Sequence, residues 1–452
     1  MRMGTERESP KVFMLPWLAQ GHISPFLELA KKLSDYNFQT YLCSTPVNLN
    51  SFKGKIPEKY SNHVHLVELH LPSSPELPPH CHTTNGLPIN RHHTLRKALQ
   101  SSKPRLSDLL KDLQPDLVLY DIILTWAGVV ASRHNIPAAS FFTSGATMFS
   151  YFSHFMNHPG VEYPYPEIRL TDFELSLVRR NAESYKNEEK DPDHAELLDR
   201  RRGQEVIFVN TSREIEGKYV DYLSELIKME LIPVGAMIQD SITSGDEGVE
   251  VIKWLERKEE RSTVFVSFGS EYFLDKKDIE EIAHGLELSN ANFIWVIRFP
   301  KGEEMEIQEV LPKGFLERVG DKGKIVEKWA PQAKILNTSS IGGFVSHCGW
   351  NSLIESIDFG VPIIAIPMHL DQPMNAKLVV ELGVGVEVKR DENGSLQRRE
   401  ISRTIQCVLG KENGDNLRRR AKEHAYKMKA RSREEMDGVV HKLQELCGKK
   451  CR

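Results

Sequence analysis

Between Trp329 and Gln372 the chain gathers residue types that suit a sugar nucleotide. The stretch reads Trp-Ala-Pro-Gln, a short helical pattern, then Gly-Gly-Phe-Val-Ser-His-Cys-Gly-Trp-Asn-Ser; Glu355 follows, and it closes on His-Leu-Asp-Gln. The apolar run 342–346 reads as a strand ending at His347. Cys348 and Gly349 form the turn, and Asn351 or Ser352 can N-cap the next helix. A histidine, an amide, a hydroxyl and free backbone N–H groups then meet at one helix N-terminus. The macrodipole and the unpaired donors there favour an anion, and a diphosphate is the obvious candidate. Glu355, one turn further on, carries an acceptor-only side chain suited to a sugar diol. Asp371 and Gln372 follow the next strand and offer more hydroxyl partners, and Trp329 presents a flat face for a base. Alone, a buried tryptophan or a capping asparagine is commonplace. A phosphate cradle, a base platform and diol acceptors in one strand–helix–strand unit are not.

A second pair lies earlier in the chain. The run 11–16 leads through Gln20-Gly21-His22-Ile23-Ser24-Pro25 into a helical pattern. Ser24 as cap and Pro25 at the first helical position place His22 at the loop–helix junction. Asp121 closes the run Asp-Leu-Val-Leu-Tyr-Asp, again at the carboxyl end of a strand. A carboxylate so placed could orient a histidine and stabilise its protonated form. From the residues alone a capping or packing role for His22 stands equally open. Ser270, after Val-Ser-Phe-Gly, opens the helix behind the run 264–268, with a simple N-cap as its plainest role.

These residues need a scaffold that brings strand ends together. Apolar runs recur at 11–16, 38–43, 64–69, 116–121, 138–142 and 206–210, and again at 264–268, 293–299, 324–326, 342–346 and 362–367. Several are apolar nearly throughout, which suits strands buried on both faces of a parallel sheet. Helical spacing fills the intervals, as with Phe26, Leu27, Leu29, Ala30 and Leu33. Strand–helix alternation predicts an α/β fold, doubly wound. The polar, Gly- and Ser-bearing stretch 239–248 separates the two series and reads as a linker. Two lobes follow, with the cleft between them as the default site. The charged stretch 179–203 reads as a mobile surface excursion, and residues from Leu417 onward as a solvated helix over one lobe.

Composition narrows the function classes. The chain has 452 residues, with 59 Lys and Arg against 63 Asp and Glu, a net charge of −4. That balance argues against a nucleic-acid partner held by phosphate contacts. No apolar run reaches membrane-spanning length, so no stable membrane insertion is expected. Residues 12–19 are short, contain Pro16 and do not form a secretory signal. Cys43, Cys81, Cys348, Cys407, Cys447 and Cys451 show no CxxC pair, which fits reduced thiols in the cytoplasm. The N-x-S/T sequons at Asn210, Asn337 and Asn393 are expected to be unused.

The segment from Trp329 to Gln372 resembles, nearly throughout, the signature (PSPG) box of the plant family 1 UDP-glycosyltransferases, and the resemblance extends over essentially the whole chain. It implies a GT-B fold: two Rossmann-like, doubly wound parallel-sheet lobes with an interlobe cleft. Residues 1–238 would form the acceptor lobe, 239–250 the linker and 251–430 the UDP-sugar lobe, with 431–452 a helix packing back on the first lobe. Position by position, Trp329 would stack on uracil with Ala330 beside it, and Gln332 would contact the uridine. His347, Asn351, Ser352 and Ser270 would hold the diphosphate, and Glu355 the ribose hydroxyls. Trp350, Asp371 and Gln372 would hold the sugar, and Gly21 would line the donor site from the first lobe. Gln at position 372 resembles UDP-glucose users; UDP-galactose users often have His there. The family also pairs His22 with Asp121 as catalytic base and partner.

The implied activity is inverting, metal-independent glucosyl transfer from UDP-glucose, with no cofactor, by a monomer. The segments 82–88, 267–273 and 298–302 resemble the branch that extends sugar chains on flavonoid, terpenoid or lignan glycosides, so a small-molecule glycoside is the expected acceptor. The alternatives are an aglycone O-glucosyltransferase acting on a phenolic hydroxyl, a UDP-sugar binder without transferase activity, and a UDP-sugar epimerase. Intact His22 and Asp121 argue against the binder. Asp191 and Asp193 match a metal-binding DxD but sit in a charged, strandless stretch. His80, Cys81, His82, His92 and His93 lack a zinc spacing. Neither GxxxxGK nor GxSxG occurs.

Overall fold

The apolar runs pair into two sheets, parallel throughout. In the computed structural model, which describes residues 9–54, 56–185, 206–239, 248–300, 305–327 and 329–448, the first sheet has seven strands. They are β1 (Lys11–Leu15), β2 (Gln39–Ser44), β3 (Val64–Glu68), β4 (Leu117–Asp121), β5 (Ala138–Phe142), β6 (Val206–Val209) and β7 (Glu230–Pro233), in the order β3-β2-β1-β4-β5-β6-β7. The second sheet has six: β8 (Thr263–Ser267), β9 (Asn292–Val296), β10 (Gly323–Val326), β11 (Ile341–Ser346), β12 (Ile363–Ala365) and β13 (Gly385–Glu387), ordered β10-β9-β8-β11-β12-β13. Both are doubly wound α/β sheets. Two edge strands were not foreseen: β7, Glu-Leu-Ile-Pro, ends two residues before Gly235, and β13, Gly-Val-Glu, gives no apolar run at all.

In each sheet the strand order turns back between two central neighbours, β1 and β4 in the first, β8 and β11 in the second. Such a reversal opens a crevice at the carboxyl ends, where helices diverge to opposite faces. Register brings Leu15 beside Tyr120, and Ser346 beside Ser267. Residues just past those four strand ends therefore face the crevices. Three of these central strands, β4, β8 and β11, are buried along their whole length.

Four local expectations need correction. The helix after β1 spans Gln20–Ser34 with Ala19 as its N-cap, so Pro25 lies inside it and His22 in its first turn. Ile23, Phe26, Leu27, Ala30 and Leu33 are buried under the sheet, with Phe26 edge-on to Phe141 at 4.9 Å. Burial of such side chains is worth about 1.5–3 kcal/mol each; it holds the helix through the turn that Ser24 and Pro25 would otherwise have begun. The helix after β11 spans Trp350–Asp358 and is capped by Gly349 without a side-chain bond, so Asn351 and Ser352 lie in its first turn rather than at its cap. Ser270 does not open the next helix, which is Lys276–Ser289, capped by Asp275 through a 2.8 Å bond from the Asp278 amide. The stretch from residue 179 continues the helix Asp172–Tyr185 instead of leaving it as a loop; residues 186–203, with Asp191 and Asp193, lie outside the described residues.

The last helix, Lys411–Gly448, runs for 38 residues. Ala421 and Met428 join an apolar cluster containing Ile354 and Val379 of the second lobe. Met436, Val439 and Leu443 join a cluster containing Met14 and Phe26 of the first. Glu435 accepts from the Ser212 hydroxyl and the Arg213 amide at 2.8 and 2.9 Å, fixing the helix against the first lobe. Among the described residues no helix is long and apolar enough to cross a membrane.

Candidate active site

The carboxyl end of β4 presents Asp121, fully buried. Its carboxylate accepts from the Trp17 and Ile123 amides, both at 3.3 Å, and lies 2.6 Å from Nδ1 of His22. Thr143, just past β5, brings its hydroxyl to 2.9 Å from the same nitrogen. With Nδ1 engaged by a carboxylate it carries the proton, and Nε2 is the free basic nitrogen. The His22 side chain is 30% exposed, enough for a substrate to reach it. Burial works against its protonated form. The Asp121 charge and hydrogen bond, with Glu271 and Asp371 further off, outweigh burial and hold the imidazole above its ordinary value of 6.5.

The opposing crevice is built from the ends of β8 and β11. Gly269 has φ +77°, and a Cβ there would stand 2.6 Å from Nε2 of His347; one on Gly349 would come equally close. Only glycine lets the two turns enclose that ring. Burial, helped by neighbouring His369, pushes the His347 pKa down to about 3, so it stays neutral. Among the described residues its buried Nδ1 has no side-chain hydrogen-bond partner.

Along the Trp350–Asp358 helix, Gln332 ties two expected donor contacts together, donating to Ser352 Oγ at 3.1 Å and to Glu355 Oε2 at 2.7 Å. Burial raises the Glu355 pKa to about 7 against the pull of that bond. Trp329 stands at the rim, 45% exposed, next to buried Ala330. Asp371 caps the helix Gln372–Leu382, and the Asn375 amide donates to it at 2.8 Å. Burial raises the Asp371 pKa, and its charge interacts with His22 across the cleft. Gln372 Oε1 accepts the Met368 and His369 amides, each at 3.0 Å. Trp350 departs from its expected place: its indole N–H donates to the Asn210 carbonyl at 2.6 Å and its ring lies against Gly145, so the side chain faces the first lobe. Asn351 also crosses, donating to the Gly21 carbonyl at 2.8 Å and accepting from Asn210 at 3.3 Å. Ser270, partly exposed, stands in the turn beside Gly269.

Six residues at this cleft had no individual role in the reading of the sequence. Thr143 and Asn210 follow β5 and β6 directly, and asking what stands past every strand of the sheet would have found them. Thr84 donates to Glu271 at 2.5 Å and Arg298 to Asn85 at 2.8 Å, so the segments 82–88 and 267–273 and the residue Arg298 meet across the cleft. Glu271 and Thr84 lay inside those segments without a role of their own. In the histidine-rich stretch, Nε2 of His82 and Nε2 of His92 each bond a carbonyl, of Leu77 and Leu87. The sequon residue Asn210 is fully buried, with its side chain engaged by the Thr143 carbonyl, Asn351 and the Met237 amide.

A GT-B pair of lobes, with a histidine–carboxylate pair at one switch point and a helix N-terminus at the other, is the architecture of a nucleotide-sugar glycosyltransferase. The family models agree: residues 239–422 match "UDP-glucoronosyl and UDP-glucosyl transferase" and residues 8–237 match "Glycosyltransferase, N-terminal domain". The chain belongs to this UDP-glycosyltransferase family. It is 51% identical over 435 residues to a β-D-glucosyl crocetin β-1,6-glucosyltransferase of Gardenia jasminoides, covering 96% of this chain and 98% of that protein. It is 46% identical to a mogroside IIIx synthase of Siraitia grosvenorii over 99% of this chain and 95% of that one. Among solved structures, a Phytolacca americana UGT2 complexed with UDP-2-fluoro-glucose and pterostilbene superposes with a TM-score of 0.74 at 28% identity, covering 97% of this chain and 100% of that one.

Proposed function

We propose that the protein transfers glucose from UDP-glucose, with inversion and without a metal ion, to a sugar hydroxyl of a plant secondary-metabolite glucoside. The observation that carries this is the His22–Asp121 contact of 2.6 Å at one switch point, opposite the His347–Glu355 segment at the other. His22 Nε2 takes the proton of the acceptor hydroxyl as its oxygen attacks the anomeric carbon. The bond from that carbon to the diphosphate breaks, and UDP leaves with the electron pair. Asp121 keeps the imidazole in the right tautomer and offsets the imidazolium charge. The N-terminus of the Trp350–Asp358 helix, neutral His347, Ser270, Asn351 and Ser352 meet the charge growing on the leaving group. An α-linked donor then yields a β-glycoside.

In this reading residues 1–238 hold the acceptor and 251–430 the donor, and a monomer acts in the cytoplasm. Trp329, Ala330 and Gln332 take the uridine, Glu355 the ribose, and Asp371, Gln372 and the Trp350 backbone the glucose. The crocetin-glucoside relative supports a glycoside acceptor, and so does the meeting of segments 82–88 and 267–273 beside His22. The test is a reaction with UDP-glucose, excess chelator and a panel of aglycones with their monoglucosides, the products read by mass and linkage. Diglucosides formed at undiminished rate are expected. A strict need for Mg²⁺ or Mn²⁺ would overturn the metal-free cradle; exclusive use of aglycones would overturn the acceptor assignment alone.

A further inference from the structure

The helix that carries His22 contains a proline, and the consequence reaches the other lobe. Pro25 has no N–H, and its ring crowds the carbonyl four residues back, which is that of Gly21. That carbonyl therefore has no bond from residue 25 and is left open to another donor. It is the group that Asn351 grips: Nδ2 donates to it at 2.8 Å across 330 residues of chain. The other end of the same amide, Oδ1, accepts from Asn210 Nδ2 at 3.3 Å. Asn210 in turn donates to the Thr143 carbonyl at 3.2 Å, and the Thr143 hydroxyl lies 2.9 Å from His22 Nδ1. Asn351 thus holds the turn bearing the imidazole on one side and, through Asn210, the strand end that flanks the imidazole on the other. It does so from the first turn of the helix whose N-terminus faces the diphosphate in the reading above.

We propose that Pro25 is a positioning residue for the transfer step: by denying the Gly21 carbonyl its helical bond, it creates the acceptor through which Asn351 aligns the His22 turn when the lobes are closed. An alanine at 25 restores the N–H, which competes with Asn351 for that carbonyl and loosens the grip. A misplacement of about 1 Å at a base can cost roughly 10²-fold in rate, so a partial loosening should cost less. This inference rests on His22 as the base.

The experiment compares wild type, Pro25→Ala, Asn351→Ala, the double variant and His22→Ala for kcat, KM for UDP-glucose and Tm. Replacing a proline inside a helix should leave Tm unchanged or raise it. The inference expects kcat for Pro25→Ala to fall about tenfold while KM for UDP-glucose stays within about twofold. It also expects the double variant to be no slower than Asn351→Ala, because Pro25 acts through that amide. Unchanged kcat in Pro25→Ala, or losses that add in the double variant, would overturn it. Should His22→Ala retain normal transfer, the reading of the base fails instead, and the two failures are told apart.

Discussion

The Asp121 carboxylate reaches Nδ1 of His22 at 2.6 Å while two backbone amides hold it from behind, so the imidazole is both oriented and made more basic. His22→Ala should lower transfer roughly 10²–10⁴-fold. Affinity for UDP-glucose, measured calorimetrically, should stay nearly intact because the proposed donor residues, Gly21 apart, lie in the other lobe. Normal turnover in this variant would remove His22 as the base.

The pH dependence of transfer follows from the same pair. A base must be neutral, and the His22 pKa is raised above 6.5, so activity should fall with decreasing pH through a value above 6.5. Asp121→Asn removes the leading charge that favours the imidazolium. The acid limb should then move to lower pH, with kcat reduced through the lost orientation. Glu271→Gln removes a weaker contribution to the same shift and should move the limb in the same direction, but by less. An acid limb that moves upward in either variant contradicts the assignment.

Glu355 gives the donor site its own pH signature. With a pKa of about 7 it is largely protonated at pH 6 and ionised at pH 8. The ionised form is the better acceptor for two ribose hydroxyls. UDP-glucose, whose diphosphate does not titrate in this range, should therefore bind up to about tenfold more tightly at pH 8 than at pH 6. Glu355→Gln should flatten that dependence. Glu355→Ala should weaken UDP and UDP-glucose alike by about 1–3 kcal/mol.

Gln372 is expected to act on two observables. Its Oε1 satisfies the buried Met368 and His369 amides, so Gln372→Ala leaves both unpaired, at about 1–3 kcal/mol of stability per group. Tm should fall, and UDP-glucose should bind more weakly while UDP is largely spared. Equal losses for UDP and UDP-glucose would show that the sugar end of the cleft lies elsewhere.

The central strands were legible because β4, β8 and β11 are buried on both faces and so are apolar at nearly every position. Once those ends are known, Asp121 as the last residue of β4 and His347 directly after β11 follow, while His22 lies in the helix entered from β1. The start of the His22 helix was not legible. Ser24 and Pro25 carry a start signal by residue type, yet the Ala19 carbonyl already accepts the His22 and Ile23 amides one turn earlier. The carbonyl that Pro25 leaves unserved finds its donor on Asn351, far outside any local window. Thr143 and Asn210 could be found by position but not by role: a threonine and an asparagine after a strand are ordinary, and only tertiary packing turns them toward His22 and Asn351. The three-residue β13 is shorter than any periodicity can mark.

The 38-residue terminal helix belongs to the cores of both lobes at once. One of those cores already mixes Val209 and Tyr219 with Ile354 and Ile363, so neither half can shed its packing without exposing apolar surface on the other. Denaturation should accordingly be a single cooperative event despite two separate sheets. The functional corollary is mechanical: opening and closing of the cleft has to occur by small slippage around a common spine, not by free swinging of two beads on a string.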